Sequence, residues 1–275
     1  FLYFAVLGAN PLDFEPGETR VTEFLGAGEW TPSEHVYEDG FIPWRAKVVG
    51  GTPYVVGYIG GENIYDFNAE PIDVHFLTTA NGRDLAPAVP GKPVVLRGGC
   101  SETDFVVLDD GSLLAVSRNE ASDELGWGMK ICKAPANDWG TWLCVADPRK
   151  YDSPLLFKRG ADVYLIGRRN LTETGNFDLG LRQYDRFLQT ILYSLDYWGK
   201  GKRTSLWKVD PATLEVSFAL DFPSRGDTSF AGLLEEADGT YTVYNYSSPP
   251  GEEEIGWLTG QLNPTEIYRI PLRLP

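Results

Sequence analysis

One pattern recurs four times along this chain and constrains its fold more than any other feature. Each copy is a short apolar strand, a glycine-containing turn and a second apolar strand. The copies occupy residues 44–51 with 54–58, 104–111 with 113–118, 153–160 with 163–168, and 228–234 with 241–246. Tight hairpins demand such turns, and strands this continuously apolar are those covered on both faces. The second strands begin near 54, 113, 163 and 241, and residues 1–6 read as a fifth copy whose first strand is missing. Further strands are predicted at 73–78, 216–220 and 265–270. Two inner and two outer strands per repeat make a propeller blade, and five repeats in 275 residues leave about 55 for each. The pattern predicts an all-β fold: a five-bladed β-propeller, one domain over 1–275, with blades starting near 1, 41, 101, 150 and 225.

The interval from 163 to 241 is longer than the others. Within it Leu181, Tyr184, Phe187, Leu188, Ile191, Leu192 and Leu195 fall at helical spacing, so 181–198 is predicted to be an inserted amphipathic helix. Its apolar stripe is expected to dock on the propeller.

Composition narrows the function. There are 24 Lys and Arg against 39 Asp and Glu, a net charge of −15. A surface that acidic repels phosphate backbones and anionic lipids, so neither nucleic acid nor membrane is expected as a partner. Three cysteines and two histidines, far apart, offer no zinc-site spacing. Cys132 and Cys144 flank a predicted hairpin where a cross-strand disulfide fits. Three cysteines are not a disulfide scaffold, however, and buried thiols are the expectation. Asn170-Leu171-Thr172 and Asn245-Tyr246-Ser247 match the glycosylation sequon. No Gly-x-Ser-x-Gly and no phosphate loop is present, which argues against a serine triad and nucleotide chemistry.

In a propeller, loops leading into the inner strands gather at one end, so residues at matching positions converge. The lead-ins here are Asp39-Gly40-Phe41-Ile42-Pro43-Trp44-Arg45, Ser101-Glu102-Thr103-Asp104, Lys150-Tyr151-Asp152-Ser153-Pro154 and Ser224-Arg225-Gly226-Asp227-Thr228. The exits of the second strands add Arg118-Asn119-Glu120, Arg168-Arg169-Asn170 and Asn245-Tyr246-Ser247-Ser248. The expectation is one funnel holding Glu102, Asp104, Asp152 and Asp227 with Arg45, Arg118, Arg169 and Arg225, and with Asn170 and Tyr246 as further substrate contacts. Acids can equally cap turns, and arginines can plug a channel by pairing with them.

The segment Tyr151-Asp152-Ser153-Pro154-Leu155-Leu156-Phe157-Lys158 with Val163-Tyr164-Leu165-Ile166-Gly167-Arg168 resembles the acid-x-Pro blades of five-bladed glycoside hydrolases such as arabinanases, xylosidases and invertases. Asp104-Phe105-Val106-Val107-Leu108-Asp109-Asp110-Gly111 resembles another blade of that group. The Arg-Asn and Ser-Ser exits are similar to those of sialidase-like proteins. Residues 78–85 resemble at most a degenerate sialidase Asp-box, lacking its Asp and Trp, and Arg269-Ile270-Pro271 is similar to the sialidase arginine motif but lies at the other end of the chain.

The resemblance implies a glycosidase-like hydrolase with no cofactor and a carbohydrate or other small-molecule substrate. Asp152 then matches the general acid and Asp104 its supporting carboxylate. Asp227 and Glu102 substitute for the base or nucleophile of the absent first strand. Arg45, Arg169 and Arg225 suit an acidic sugar through bidentate contacts. Two alternatives stand beside this. In one, Glu102, Asp104, Asp152 and Asp227 hold calcium in a metal-assisted hydrolase of esters, lactones or phosphotriesters. In the other, a non-catalytic propeller stacks sugars on Trp44, Trp127, Trp198 and Tyr246. The resemblance and the acidic surface favour a secreted or periplasmic protein, while the few cysteines suit the cytoplasm equally.

Overall fold

The structure, a computed structural model, describes residues 1–9, 14–64 and 70–274. Its main strands form five antiparallel sheets that follow one another along the chain. The first contains β1 (Leu2–Leu7), β2 (Pro16–Thr22) and β5 (Glu34–His35), while β3 (Phe24–Gly26) and β4 (Glu29–Trp30) form a small hairpin of their own. The second contains β6 (Ile42–Val49), β7 (Thr52–Ile59), β8 (Ile72–Thr79) and β10 (Val94–Gly98), with β9 (Leu85–Pro87) also pairing with β8. The third runs in sequence order through β11 (Cys100–Val107), β12 (Leu113–Asn119), β13 (Met129–Ala134) and β14 (Leu143–Asp147). The fourth runs the same way through β15 (Asp152–Arg159), β16 (Asp162–Asn170), β17 (Lys202–Val209) and β18 (Val216–Asp221). The fifth contains β19 (Thr228–Glu235), β20 (Tyr241–Ser247) and β21 (Glu266–Leu272). The fold is the five-bladed β-propeller that the repeat predicts, and all four repeated hairpins are present.

The chain forms two compact units: Phe1–Glu124 with Cys132–Cys144, and Leu125–Ile131 with Val145–Pro275. In the first, Val56, Phe76, Phe105 and Leu113 are sealed from solvent, and Tyr54 stacks on Phe76 with ring centroids 5.4 Å apart. In the second, Leu155, Ile166, Leu206 and Val243 form the corresponding core. Adjacent strands bring the Cα atoms of Cys132 and Cys144 within 4.0 Å, and a disulfide joins them. This corrects the expectation of buried thiols, which holds only for Cys100.

The inserted helix, α1 (Arg186–Gly199), starts five residues later than predicted because Asp185 caps it, accepting the N–H of Leu188 at 2.9 Å. Its docked face is also not the predicted one. Gln189, Tyr193 and Tyr197, four residues apart, turn inward against Trp127, Phe177 and Trp257. Phe187, Leu188, Leu195 and Trp198 stay exposed. The tyrosines win because their polar tips find partners inside. The Tyr193 hydroxyl accepts the N–H of Leu181, and the Tyr197 hydroxyl donates to Asp152. A second, short helix, α2 (Trp257–Gln261), was not foreseen.

The leading strands of the second to fifth sheets share one irregularity. Each shifts register near its start, between Pro43 and Arg45, Cys100 and Thr103, Asp152 and Leu155, and Ser229 and Gly232. Such bulges re-aim side chains, and the candidate residues lie at or beside them.

Candidate functional site

In the second unit the bulge decides which arginine meets Asp152. Beyond the bulge Leu155 faces Ile166, a register that, carried straight on, would set Arg169 opposite Asp152. The bulge moves the pairing by one residue and puts Arg168 there instead. A one-residue slip swaps the faces of a strand, so Arg168 points with Asp152 and Arg169 points away. The Arg168 Nη2 lies 3.5 Å from Asp152 Oδ2, and its Nη1 lies 3.6 Å from Asp227 Oδ1. Nη1 also donates to the Thr228 carbonyl at 3.3 Å. One guanidinium thus joins two of the carboxylates singled out from the sequence.

The two ends of this line differ. Asp152 is fully enclosed, with Lys150 Nζ 3.6 Å from Oδ1 and the Tyr197 hydroxyl on Oδ2. Asp227 is 8% exposed, and the Tyr246 hydroxyl donates to its Oδ1 at 3.0 Å. The same register shift sets Tyr246 opposite Ser229, so Tyr246 holds the place in the fifth sheet that Arg168 holds in the fourth.

A buried lysine completes the cluster. Lys202 Nζ donates to the carbonyls of Tyr197 at 2.5 Å and Lys200 at 2.9 Å, at the C-terminal end of α1. It also sits 4.0 Å from the centre of the Tyr197 ring. Burial, reinforced by the charges of Arg168 and Lys150, pushes its pKa down to about 6. Lys150 packs on Phe177 and Tyr197. Charges are buried at such a density only when partners surround them, and Tyr197 supplies both a hydroxyl and a ring face. The sequence places Lys150 and Arg168 in a lead-in and an exit without marking either as a site residue, and it gives no sign of Tyr197 or Lys202. A register count that allowed for the bulge would have found Arg168.

The remaining candidates of this unit are held by the protein itself. Arg169 forms a two-pronged pair with Asp221 at 2.8 and 2.6 Å. Burial alone would raise Asp221, but hydrogen bonds from Arg169 and Ser205 outweigh it and hold the carboxyl below its usual range. Arg225 fastens the loop after β20, donating to the carbonyls of Pro249 and Glu253, both at 2.6 Å, and to the carboxylate of Glu252. Asn170 is fully buried, donating to the Asn176 carbonyl while its Oδ1 accepts no hydrogen bond. Both sequon asparagines, Asn170 and Asn245, are shut inside the fold.

The first unit holds the other four candidates, in two groups. Asp104 is sealed, with Lys47 Nζ 2.7 Å from Oδ1 and Arg45 Nε 3.9 Å from Oδ2. Burial lowers the pKa of Lys47, and the Asp104 charge opposes that shift. Arg118 clamps two carboxylates, with Nη1 2.6 Å from Glu102 and Nε 2.7 Å from Glu120. Each acid has its own place along its strand: Asp152 precedes its bulge, Glu102 sits within one, and Asp104 follows it, facing Val116. Among the described residues, no three His, Cys, Asp or Glu side chains gather as a metal ion would need. Of the proposed stacking residues, Trp127 is buried behind α1, Trp198 is exposed, and Trp44 and Tyr246 are half-buried. No helix is long and apolar enough to cross a membrane.

No protein-family model matches the chain, and no curated protein matches it by sequence. Solved structures do resemble it. A phage phi92 endosialidase superposes with a TM-score of 0.54 at 13% identity, over 90% of this chain and 39% of that one. An exo-1,5-α-L-arabinanase from a bovine ruminal metagenomic library gives 0.52 at 10% identity, over 98% and 91%. A xylan β-1,4-xylosidase from Bacillus halodurans gives 0.52 at 11% identity, over 99% and 51%. The chain therefore spans well under half of the endosialidase, about half of the xylosidase and nearly all of the arabinanase. At such identities the likeness is one of fold.

Proposed function

We propose that this chain is a propeller-type glycoside hydrolase in which Asp227 exchanges a proton with the substrate and Asp152 holds the machinery in place. The observation that carries the reading is the single Arg168 guanidinium shared between a sealed carboxylate and one that keeps contact with solvent. A general acid or base must change its protonation state during turnover. A carboxylate enclosed by Arg168, Lys150 and the Tyr197 hydroxyl, with no exposed surface, is out of a substrate's reach. Asp227 shares Arg168 but keeps 8% of its surface open, the access that proton exchange with a substrate needs. The role assigned to Asp152 from the resemblance therefore passes to Asp227, and Asp152 orients Arg168.

The structural neighbours named as endosialidase, arabinanase and xylosidase support glycosidic bonds as the target. Arg169 and Arg225 are committed to Asp221, Glu252 and backbone carbonyls. That removes two of the three arginines offered for an acidic sugar and favours a neutral glycoside. The disulfide supports a secreted or periplasmic setting, since such bonds persist in oxidising compartments.

The test is a hydrolysis screen over aryl glycosides, sialosides, esters and phosphotriesters, with and without chelator, on wild type and Asp227→Asn. Turnover of a neutral glycoside that survives chelator and is lost in Asp227→Asn is expected. Turnover abolished by chelator would move the protein to the metal-assisted class. Saccharide binding without turnover would make it a carbohydrate-binding propeller.

A further inference from the structure

We propose that Phe230, stacked on Tyr246, is a substrate-binding platform for the apolar face of a saccharide ring beside Asp227; this rests on the glycosidase reading. Three separate observations lead there. Phe230 is 51% exposed. That alone is ordinary, since many apolar side chains of folded proteins remain at the surface. Its backbone is not ordinary: φ is +51°, in the left-handed region that bulky side chains avoid. Among the exposed large hydrophobic residues described, it is the only one with a positive φ. Folding thus leaves this ring half in water on a strained backbone, and such strain clusters at binding sites.

The comparison with the fourth sheet sharpens this. Ser153 occupies the same place in its own bulge, one residue after Asp152 as Phe230 is one after Ser229, and it shares the positive φ at +53°. Ser153 is small, polar and 1% exposed. The bulge itself therefore requires no aromatic residue.

The third observation is geometric. The Phe230 ring lies 5.8 Å from that of Tyr246, with only 16° between their planes. Tyr246 in turn donates its hydroxyl to Asp227, which Arg168 links to Asp152. The neighbouring Ser229 hydroxyl reaches the Asp152 carbonyl at 3.5 Å, so the platform is anchored to the same cluster. A flat aromatic pair ending at a proton-exchanging carboxylate suits a sugar ring. The C–H-rich face of the ring gains dispersion and hydrophobic contact on the aromatic surface, and its hydroxyls stay in water.

The experiment compares wild type, Phe230→Gly and Phe230→Trp. The probes are 4-nitrophenyl α-L-arabinofuranoside, 4-nitrophenyl β-D-xylopyranoside, arabinotriose and xylotriose, followed by turnover and by intrinsic fluorescence titration. Phe230→Gly is expected to raise KM or Kd by about tenfold, the size of one aromatic contact, with kcat nearly unchanged. Because glycine relaxes the positive φ, its Tm should equal or exceed that of wild type. Phe230→Trp should keep wild-type affinity. An unchanged KM and Kd in Phe230→Gly overturns the inference, and a fall in Tm with unchanged affinity makes Phe230 a packing residue. If wild type cleaves one of the probes and Phe230→Gly does so with the same KM, only this inference falls. If wild type neither binds nor cleaves any of the four, the glycosidase reading falls with it.

Discussion

The fourth and fifth sheets meet the same local geometry and fill it in opposite ways. Each leading strand carries a bulge after its first residues, and each bulge sets one residue of the following strand against the residue just before it. In the fourth sheet this pairs Asp152 with Arg168, under a lid of Tyr197 with Lys150 and Lys202 close by, all shut from solvent. In the fifth sheet it sets Tyr246 opposite Ser229, with Phe230 half exposed and Asp227 keeping 8% of its surface open. The difference teaches that a bulge fixes direction and leaves chemistry to the side chain. One sheet uses that direction to build a charge cluster, the other to present groups outward. Stability effects should therefore concentrate in the fourth sheet and ligand effects in the fifth.

The largest expected effect is the loss of Asp152. Asp152→Ala leaves Arg168 and Lys150 enclosed without their carboxylate and should cost about 3–5 kcal/mol of unfolding free energy. Urea denaturation measures it, and a loss below about 1 kcal/mol would erase the contrast between the sheets.

Next comes pH. The Lys202 amine titrates near 6 in the fold, against 10.5 as its ordinary value. Between these values the folded state binds fewer protons than the unfolded one. Stability should therefore climb by about 1.4 kcal/mol per pH unit as pH rises through that window, with no further contribution from this group below about 6. Denaturation midpoints from pH 6.5 to 9 should show the slope, and Lys202→Met should flatten it. An identical slope in the variant would show that the charge balance lies elsewhere.

A smaller, opposite effect belongs to the fifth sheet. Phe230→Gly should stabilise the protein by up to about 1 kcal/mol through release of the positive φ, a gain readable in Tm. The smallest effect is at the surface of the fourth sheet. Arg169→Ala breaks the pair with Asp221, which is partly solvent-exposed, and should cost less than about 1 kcal/mol without altering saccharide affinity.

The hairpins were legible in the sequence because each is local: two apolar runs and a glycine turn suffice, and the second strands start at Thr52, Leu113, Asp162 and Tyr241, within two residues of expectation. The site was legible only in part. Asp152 and Asp227 stand out in the sequence, whereas Arg168 and Arg169 are adjacent and a hairpin counted evenly from its turn would pair Asp152 with Arg169. The bulge that corrects the count leaves no mark in composition. Helix α1 shows the same limit. Its apolar period is plain, but which face docks depends on partners for the Tyr193 and Tyr197 hydroxyls that lie outside the helix, at Asp178 and Asp152.

The central claim, that the fourth sheet holds and the fifth sheet acts, comes down to one paired measurement. Unfolding free energy and glycoside turnover are determined side by side for Asp152→Asn and Asp227→Asn. Asp227→Asn should keep stability within about 1 kcal/mol and lose turnover by about 10²–10⁴-fold, the range for removal of a general acid or base. Asp152→Asn should lose several kcal/mol of stability. Wild-type turnover in Asp227→Asn, with Asp152→Asn inactive yet fully stable, would contradict the account and return the proton-exchanging role to Asp152.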